Sequence, residues 1–409
     1  QKEEWIYLTS FYKTEEEIAY RIHELQNSKN MKEIKNIDTE LKNIEKKSEI
    51  KLSEKQKEAI KEINKNNVLI ITGGPGTGKT TIIKTVIDLY EKKGKKVVLA
   101  APTGRAAKKM TEATGKEAST LHRLLGIGKL DDEGIYNKNT TYEGEPIDAD
   151  IIVIDELSMV DMFLMNYLLK CIYKGTKLIL VGDVNQLPSV GPGTVLKDLI
   201  NSETIETVQL DKIFRQAAKS KIILNAHRVN NGETFLSKDD IENETNQDFF
   251  YITHKSKESI LKELISLCTG RLKKYGDYDF FQNIQVLTPT KKGMLGTKEL
   301  NKELQAYLNP NLNNLPEKSN LGAIFRAGDR IMQIKNNYDM TWEKTTDKGE
   351  IEYGTGIFNG EIGTITKINE NDKIVEIKFD DNKEVMYEFS ELDQIEHSYA
   401  ITIHKAQRK

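Results

Sequence analysis

Val68-Leu69-Ile70-Ile71-Thr72-Gly73-Gly74-Pro75-Gly76-Thr77-Gly78-Lys79-Thr80 is an apolar strand running into a G-x-x-x-x-G-K-[ST] loop. Such a loop is a phosphate cradle. Its glycines let backbone N–H groups converge on phosphate oxygens with no Cβ in the way, and the following helix adds the positive end of its dipole. That helix is expected over residues 81–93, closed by Gly94. Gly73, Gly74, Pro75, Gly76, Thr77, Gly78, Lys79, Thr80 and Thr81 then line a nucleotide. Lys79 reaches the β- and γ-phosphates, and the Thr80 hydroxyl ligates Mg²⁺. A plain glycine-rich turn shares the bare pattern; the strand before and the helix after favour the cradle.

At 409 residues the chain predicts two to four domains. Its 60 basic and 63 acidic residues leave a net charge of −3, so overall charge argues for no nucleic-acid partner, and any such case rests on local patches. Lys-rich runs such as Lys92-Lys93-Gly94-Lys95-Lys96 read as solvated helix ends. Two distant cysteines, Cys171 and Cys268, fit a reducing, cytoplasmic setting and exclude a disulfide scaffold or thiolate zinc site. No apolar run has the length of a membrane span. The chain opens at Gln1 without a signal peptide or Met, and is read as a fragment.

Near-continuous apolar runs at 68–72, 97–101, 151–154 and 178–181 alternate with helical patterns at 81–93, 104–113, 120–125 and 162–173. Runs of that kind are strands buried on both faces of a parallel sheet, so residues 51–256 predict a doubly wound α/β domain of RecA-like type. Upstream, residues 1–50 read as the tail of an N-terminal region. It has a helix from a Thr14 cap, with Glu17 completing a capping box and Ile18, Ile22 and Leu25 on one face, then a charged linker and solvated helix. A Gly/Asn/Thr/Asp-rich stretch at 126–149, carrying Tyr136 and Tyr142, reads as a hairpin insertion. Residues 257–409 predict a second α/β domain with helices at 258–275 and 297–308 and strands at 284–288 and 398–403. Short alternating strands within 321–392 read as an inserted β-barrel.

The strand Ile151–Ile154 ends in Asp155-Glu156, where Asp155 holds Mg²⁺ and Glu156 acts as general base toward water. The bland reading is an acidic strand end capping the next helix. The next apolar strand ends in Gly182-Asp183-Val184-Asn185-Gln186-Leu187-Pro188, which delivers Gln186 into the same crevice as a γ-phosphate sensor. Gln56 is placed to hydrogen-bond an adenine edge in bidentate fashion; alone it is a surface Gln.

The ordered set of Gln56, the 73–80 loop, Ala101-Pro102-Thr103-Gly104-Arg105, Ser119-Thr120-Leu121-His122, Asp155-Glu156, Gly182–Pro188 and Phe214-Arg215-Gln216 resembles superfamily 1 helicases of the RecD-like, 5′-to-3′ branch. Val286-Leu287-Thr288-Pro289-Thr290 and the 399–407 stretch, with His404 and Gln407, match the same branch, so the resemblance runs from Leu52 to Gln407. It implies a P-loop NTPase of two RecA-like domains, with a pin at 126–149 and an SH3-like barrel at 321–392. It makes Lys79, Glu156, Gln186 and Arg215 catalytic, Arg215 as an arginine finger. Pro102, Thr103, Arg105, Thr120, His122, Thr288, Pro289 and Thr290 become contacts to single-stranded DNA, and His404 and Gln407 link DNA and nucleotide. The implied activity is ATP- and Mg²⁺-dependent 5′-to-3′ translocation and unwinding in repair or recombination. The two domains close on ATP and open after hydrolysis, and a single-strand-binding protein or nuclease complex is a further partner. Apart from the resemblance, Arg215 can pair with a surface carboxylate, His122 can be a packed helix histidine, and Tyr136 and Tyr142 read as hairpin packing. An RNA helicase and a regulatory single-strand-binding subunit of an exonuclease complex stay open. A small-molecule kinase shares only the loop. After Gln407 the family continues to a second arginine finger, whereas this chain reads Arg408-Lys409 and stops, so an incomplete second domain is expected.

Overall fold

In the computed structural model, which describes residues 6–29, 33–127, 146–211, 220–235, 248–312, 314–345 and 349–407, the apolar runs become strands buried on both faces. The chain forms two units, Gln1–Tyr251 and Ile252–Lys409.

The first unit holds helices α1 (Thr9–Gln26), α2 (Ile37–Ser48) and α3 (Glu54–Lys65), strand β1 (Val68–Gly73), α4 (Lys79–Glu91), β2 (Val97–Ala101), α5 (Gly104–Thr114), β3 (Ala118–Thr120), α6 (Leu121–Leu124), β4 (Ile151–Ile154), α7 (Met162–Lys170), β5 (Lys177–Gly182), α8 (Val195–Asn201), β6 (Thr207–Leu210) and α9 (Lys221–Asn230). The six strands form one parallel sheet in the order β3-β2-β4-β5-β1-β6. Alternate residues feed opposite faces, as a strand's period of two requires. Ile70, Ile152, Ile154 and Leu180 pack with α1, α7 and α8; Leu69, Ile71, Val153 and Val181 pack with α2, α3 and α4. The result is an α/β/α sandwich of P-loop type.

The N-terminal expectations need correction. α1 starts at Thr9 rather than at a Thr14 cap, because the Thr14 hydroxyl donates to Ser10 O and Glu17 pairs with Arg21. Ile18, Ile22 and Leu25 are buried as expected, but against the sheet. The 28–50 stretch is no solvated linker throughout: Leu41 and Ile44 of α2 enter the core on the other face. Of the insertion expected at 126–149, residues 128–145, with Tyr136 and Tyr142, lie outside the described residues.

Lys177, the first residue of β5, is buried. Its Nζ donates to Asn64 O at 3.2 Å and Asn66 O at 2.8 Å, closing the C-terminal end of α3. Burial pushes its pKa down to about 8.

The second unit opens with α10 (Lys257–Ser266), which passes through a π-turn at Leu267–Arg271 into α11 (Leu272–Gly276), where one unbroken helix was expected. α12 (Phe280–Asn283), β7 (Val286–Thr288) and α13 (Thr297–Leu308) follow. A two-stranded sheet of β8 (Glu317–Asn320) and β9 (Ala323–Arg326) leads into a seven-stranded antiparallel sheet. Its strands are β10 (Arg330–Gln333), β11 (Asn337–Thr345), β12 (Ile351–Ile357), β13 (Ile362–Asn369), β14 (Ile374–Phe379), β15 (Glu384–Glu388) and β16 (Ile395–His397), in the order β12-β11-β15-β14-β13-β10-β16. They share one core, built on Ile331, Ile365, Val375, Ile377, Phe379 and Tyr387. β17 (Ala400–Thr402) then returns to pair in parallel with β7 and runs into α14 (Ile403–Gln407).

The insertion is tied to the α/β part of its own unit by Asp329, which is fully buried. One carboxylate oxygen accepts from Gln305 Nε2 (2.7 Å) and Arg326 N (2.8 Å) and faces His397 Nε2 at 3.1 Å. The other accepts from Asn309 Nδ2 (2.8 Å) and Tyr399 OH (2.9 Å). The chain entering the insertion, the chain leaving it, and α13 therefore meet on one side chain.

Two predictions follow from these buried charges. The native pKa of Lys177 lies below its ordinary 10.5, so the unfolded chain binds the extra proton and this group makes stability rise with pH between about 8 and 10.5. Urea midpoints across that window should rise less steeply for Lys177→Met than for wild type. Asp329→Ala strips the acceptor from several buried donors and should lose about 3–5 kcal/mol, read as a lower urea midpoint.

Candidate nucleotide site and nucleic-acid edge

Because all six described strands of the first unit are parallel, their carboxyl ends lie at one edge of the sheet. Register aligns Thr72 with Gly182, Ile154 with Leu180, Ala100 with Ile154, and Ala101 with Thr120. Hence the loop at 73–80, the Asp155-Glu156 pair, the 183–186 turn, the Pro102-Thr103 corner and the Thr120 corner all leave the sheet side by side. This is the crevice in which open α/β sheets bind ligands.

The loop has the backbone its glycines allow. Gly76 and Gly78 take φ of 75° and 84°, conformations closed to most side chains. A Cβ at Gly73 would lie 2.8 Å from Thr77 Oγ1 and 2.9 Å from Leu210 Cβ. Thr77 Oγ1 donates to Gly74 O at 2.8 Å, and Lys79 Nζ donates to Gly73 O (2.6 Å) and Gly74 O (3.1 Å). Pro75 and Thr80 are exposed, Thr81 partly so. The cradle is pre-folded, with its lysine on its own carbonyls.

Gln56 has other partners than the expected adenine edge. It is buried, its Oε1 accepts from Ser53 N in a reciprocal capping box, and its Nε2 donates to Gly78 O at 3.3 Å. It ties α3 to the phosphate loop.

Asp155 and Glu156 follow β4 directly. Burial pushes both carboxyls above the usual range. The field of Asp155 raises Glu156 further, while the Lys79 ammonium opposes both shifts. Asp155 also accepts from Glu156 N at 2.9 Å. Glu156 takes a left-handed φ of 55°, uncommon for a non-glycine residue, before the turn Leu157–Met159. Oxygen donors of this kind, one desolvated carboxylate and one exposed hydroxyl at Thr80, suit Mg²⁺, which takes few protein ligands. In the 183–186 turn, Val184 N donates to Thr72 Oγ1 and Asn185 N to Asp183 Oδ1, fixing the segment that carries Gln186 beside β1. Arg215 lies outside the described residues.

Along the same edge Thr103 caps α5 by accepting from Ala106 N, and Thr120 caps α6 by accepting from Arg123 N. Both hydroxyls are therefore engaged in local structure. Arg105 is exposed, and so are Lys108 and Lys109 of the same helix, which the sequence reading passed over. Pro102 is half-buried. Burial holds His122 below its usual pKa, against the pull of Asp161, so it is neutral at pH 7. In the second unit Thr288 is buried and its hydroxyl donates to Leu295 O at 2.6 Å, shaping the loop. Pro289 and Thr290 are exposed, followed by exposed Lys291 and Lys292; His404 is exposed on α14 and Gln407 partly so. The pairing of Thr402 with Thr288 sets the 289–290 loop and α14 at one end of this strand pair.

Residues 51–251 match the family described as an AAA domain, and residues 300–379 match the ATP-dependent RecD-like DNA helicase SH3 domain. The ATP-dependent RecD2 DNA helicase of Deinococcus radiodurans is 35% identical over 89% of this chain and 45% of its own length. The chain belongs to the RecD-like helicase family. A second relative, the RecBCD enzyme subunit RecD of Buchnera aphidicola, is 29% identical over 84% of this RecD-like chain and 64% of its own. The chain thus spans about half to two thirds of these curated relatives. Among solved structures, one described as DNA unwinding at forked dsDNA by two coordinating Pif1 helicases aligns over 88% of this chain and 84% of its own, with 20% identity and a TM-score of 0.49.

Both acidic groups bind protons more tightly when folded, so their contribution to stability falls as pH rises from the unfolded pKa through the raised folded one. At neutral pH they destabilise the fold. Glu156→Gly removes a half-buried, desolvated charge and the left-handed penalty together, and should raise stability by about 1–2 kcal/mol at pH 7 in urea unfolding. The gain should shrink as pH drops toward 4.

Proposed function

We propose that this chain is the motor of an ATP-dependent DNA helicase that moves 5′ to 3′ on single-stranded DNA and opens duplex junctions during repair or recombination. The observation that carries this reading is the single sheet edge shared by the 73–80 loop, Asp155-Glu156 and the Gln186 turn, with Lys79 in the field of both carboxylates.

Lys79 exchanges the Gly73 and Gly74 carbonyls for the β- and γ-phosphates. Asp155 and Thr80 would hold Mg²⁺, which would supply positive charge against the phosphates. Glu156, whose raised pKa brings it nearer neutrality, takes the proton of the attacking water. Gln186 senses the γ-phosphate, and Arg215 supplies the arginine finger. Pro102, Arg105, Lys108, Lys109 and His122 in the first unit and Pro289, Thr290, Lys291, Lys292 and His404 in the second contact the strand. With few base-reading groups among these, binding is phosphate-dominated, sequence-tolerant and salt-sensitive.

Lys79→Ala should abolish DNA-stimulated ATP hydrolysis, measured as phosphate release. In wild type the acid limb of that activity should fall at a pH above the ordinary glutamate pKa of 4.5, because Glu156 must be deprotonated to act. Stimulation by RNA equal to that by DNA, or unwinding of 3′-tailed but not 5′-tailed duplexes, would overturn the substrate or the polarity. A protein that binds DNA and nucleotide without turnover is a regulatory subunit.

A further inference from the structure

An imidazole in the first unit leans on the phosphate loop with one nitrogen unused. α9 lays His227 against Gly74: a Cβ built there would lie 2.7 Å from His227 Cε1 and 3.2 Å from Nε2. Nε2 is buried and has no hydrogen-bond partner. Folding seldom leaves a buried ring nitrogen unpaired, and a partner made in another state of the molecule accounts for one that is.

The loop itself creates that need. Gly73 O accepts from Lys79 Nζ, and Gly74 O accepts from both Lys79 Nζ and Thr77 Oγ1. Both glycines are buried. When Lys79 turns to the phosphates, these carbonyls lose a charged donor. The loss falls where His227 has a donor to spare.

We propose that His227 is a positioning residue of the phosphate loop: in its Nε2–H tautomer it donates to the Gly74 carbonyl once Lys79 has left for phosphate. The inference rests on the nucleotide site described above. His227 holds the loop in its nucleotide-bound form without touching the nucleotide. It also gives a reason for glycine at position 74, since any Cβ there would displace the ring. α9 follows Phe214-Arg215-Gln216 in the chain, so the exchange connects the state of the loop to the segment after the expected finger.

The test is calorimetric titration of the whole chain with Mg-ADP. His227→Phe keeps a ring but has no donor, His227→Leu repeats this with less bulk, and His227→Gln returns an N–H to about the reach of Nε2. His227→Phe and His227→Leu should bind roughly tenfold more weakly, the worth of one buried hydrogen bond, and His227→Gln should recover most of the loss. The nucleotide-free melting temperature of His227→Phe should not fall, because an orphaned polar atom has been removed. Wild-type affinity in His227→Phe, equal weakening in all three variants, or a fall in nucleotide-free melting temperature that tracks the lost affinity would each overturn the proposal. If wild type itself does not bind Mg-ADP, the nucleotide site fails first, and this inference with it.

Discussion

The parallel ladder that sets β1 between β5 and β6 is the constraint on which the first unit depends. Parallel neighbours cannot be joined by tight turns, so helices must cross both faces and bury them. The central strands β1, β2, β4 and β5 are then apolar along most of their length, and their ends are left for chemistry. With every strand pointing the same way, those ends gather at one edge. The 73–80 loop, the Asp155-Glu156 pair and the 183–186 turn, far apart in the chain, become neighbours without any long-range contact designed for that purpose.

That constraint also explains what the sequence made legible. Strands β1, β2, β4 and β5 announce themselves because both faces are buried and no polar residue interrupts them. β3 is three residues, Ala-Ser-Thr, at the edge of the sheet and only half-buried, so it has no such texture. The hairpin of β11 and β12, inside the 321–392 stretch, is weakly marked for a related reason: residues 351–353 and 355 of β12 are exposed, so strand alternation has nothing to alternate against. The burial of α2 was hidden in a charged stretch, where Leu41 and Ile44 carry the contact among lysines and glutamates.

Within the site, residue types were legible and partners were not. Lys79, Asp155 and Glu156 declare themselves by motif, since the chemistry fixes their spacing. Gln56 and Thr288 stand out by motif, but nothing in the sequence shows that their polar atoms meet Ser53, Gly78 and Leu295. Hydrogen bonds to backbone across long sequence separations leave no local pattern. His227 leaves none either: an Ala-His-Arg triplet in a helix does not show which loop it faces.

The left-handed backbone of Glu156 sets local folding against local charge. A non-glycine residue at φ 55° costs conformational energy, and desolvation at the same position disfavours its ionised carboxyl. Position 156 therefore trades folding stability for an acid at the sheet edge, and a glycine there would relax the turn and remove the acid in one step.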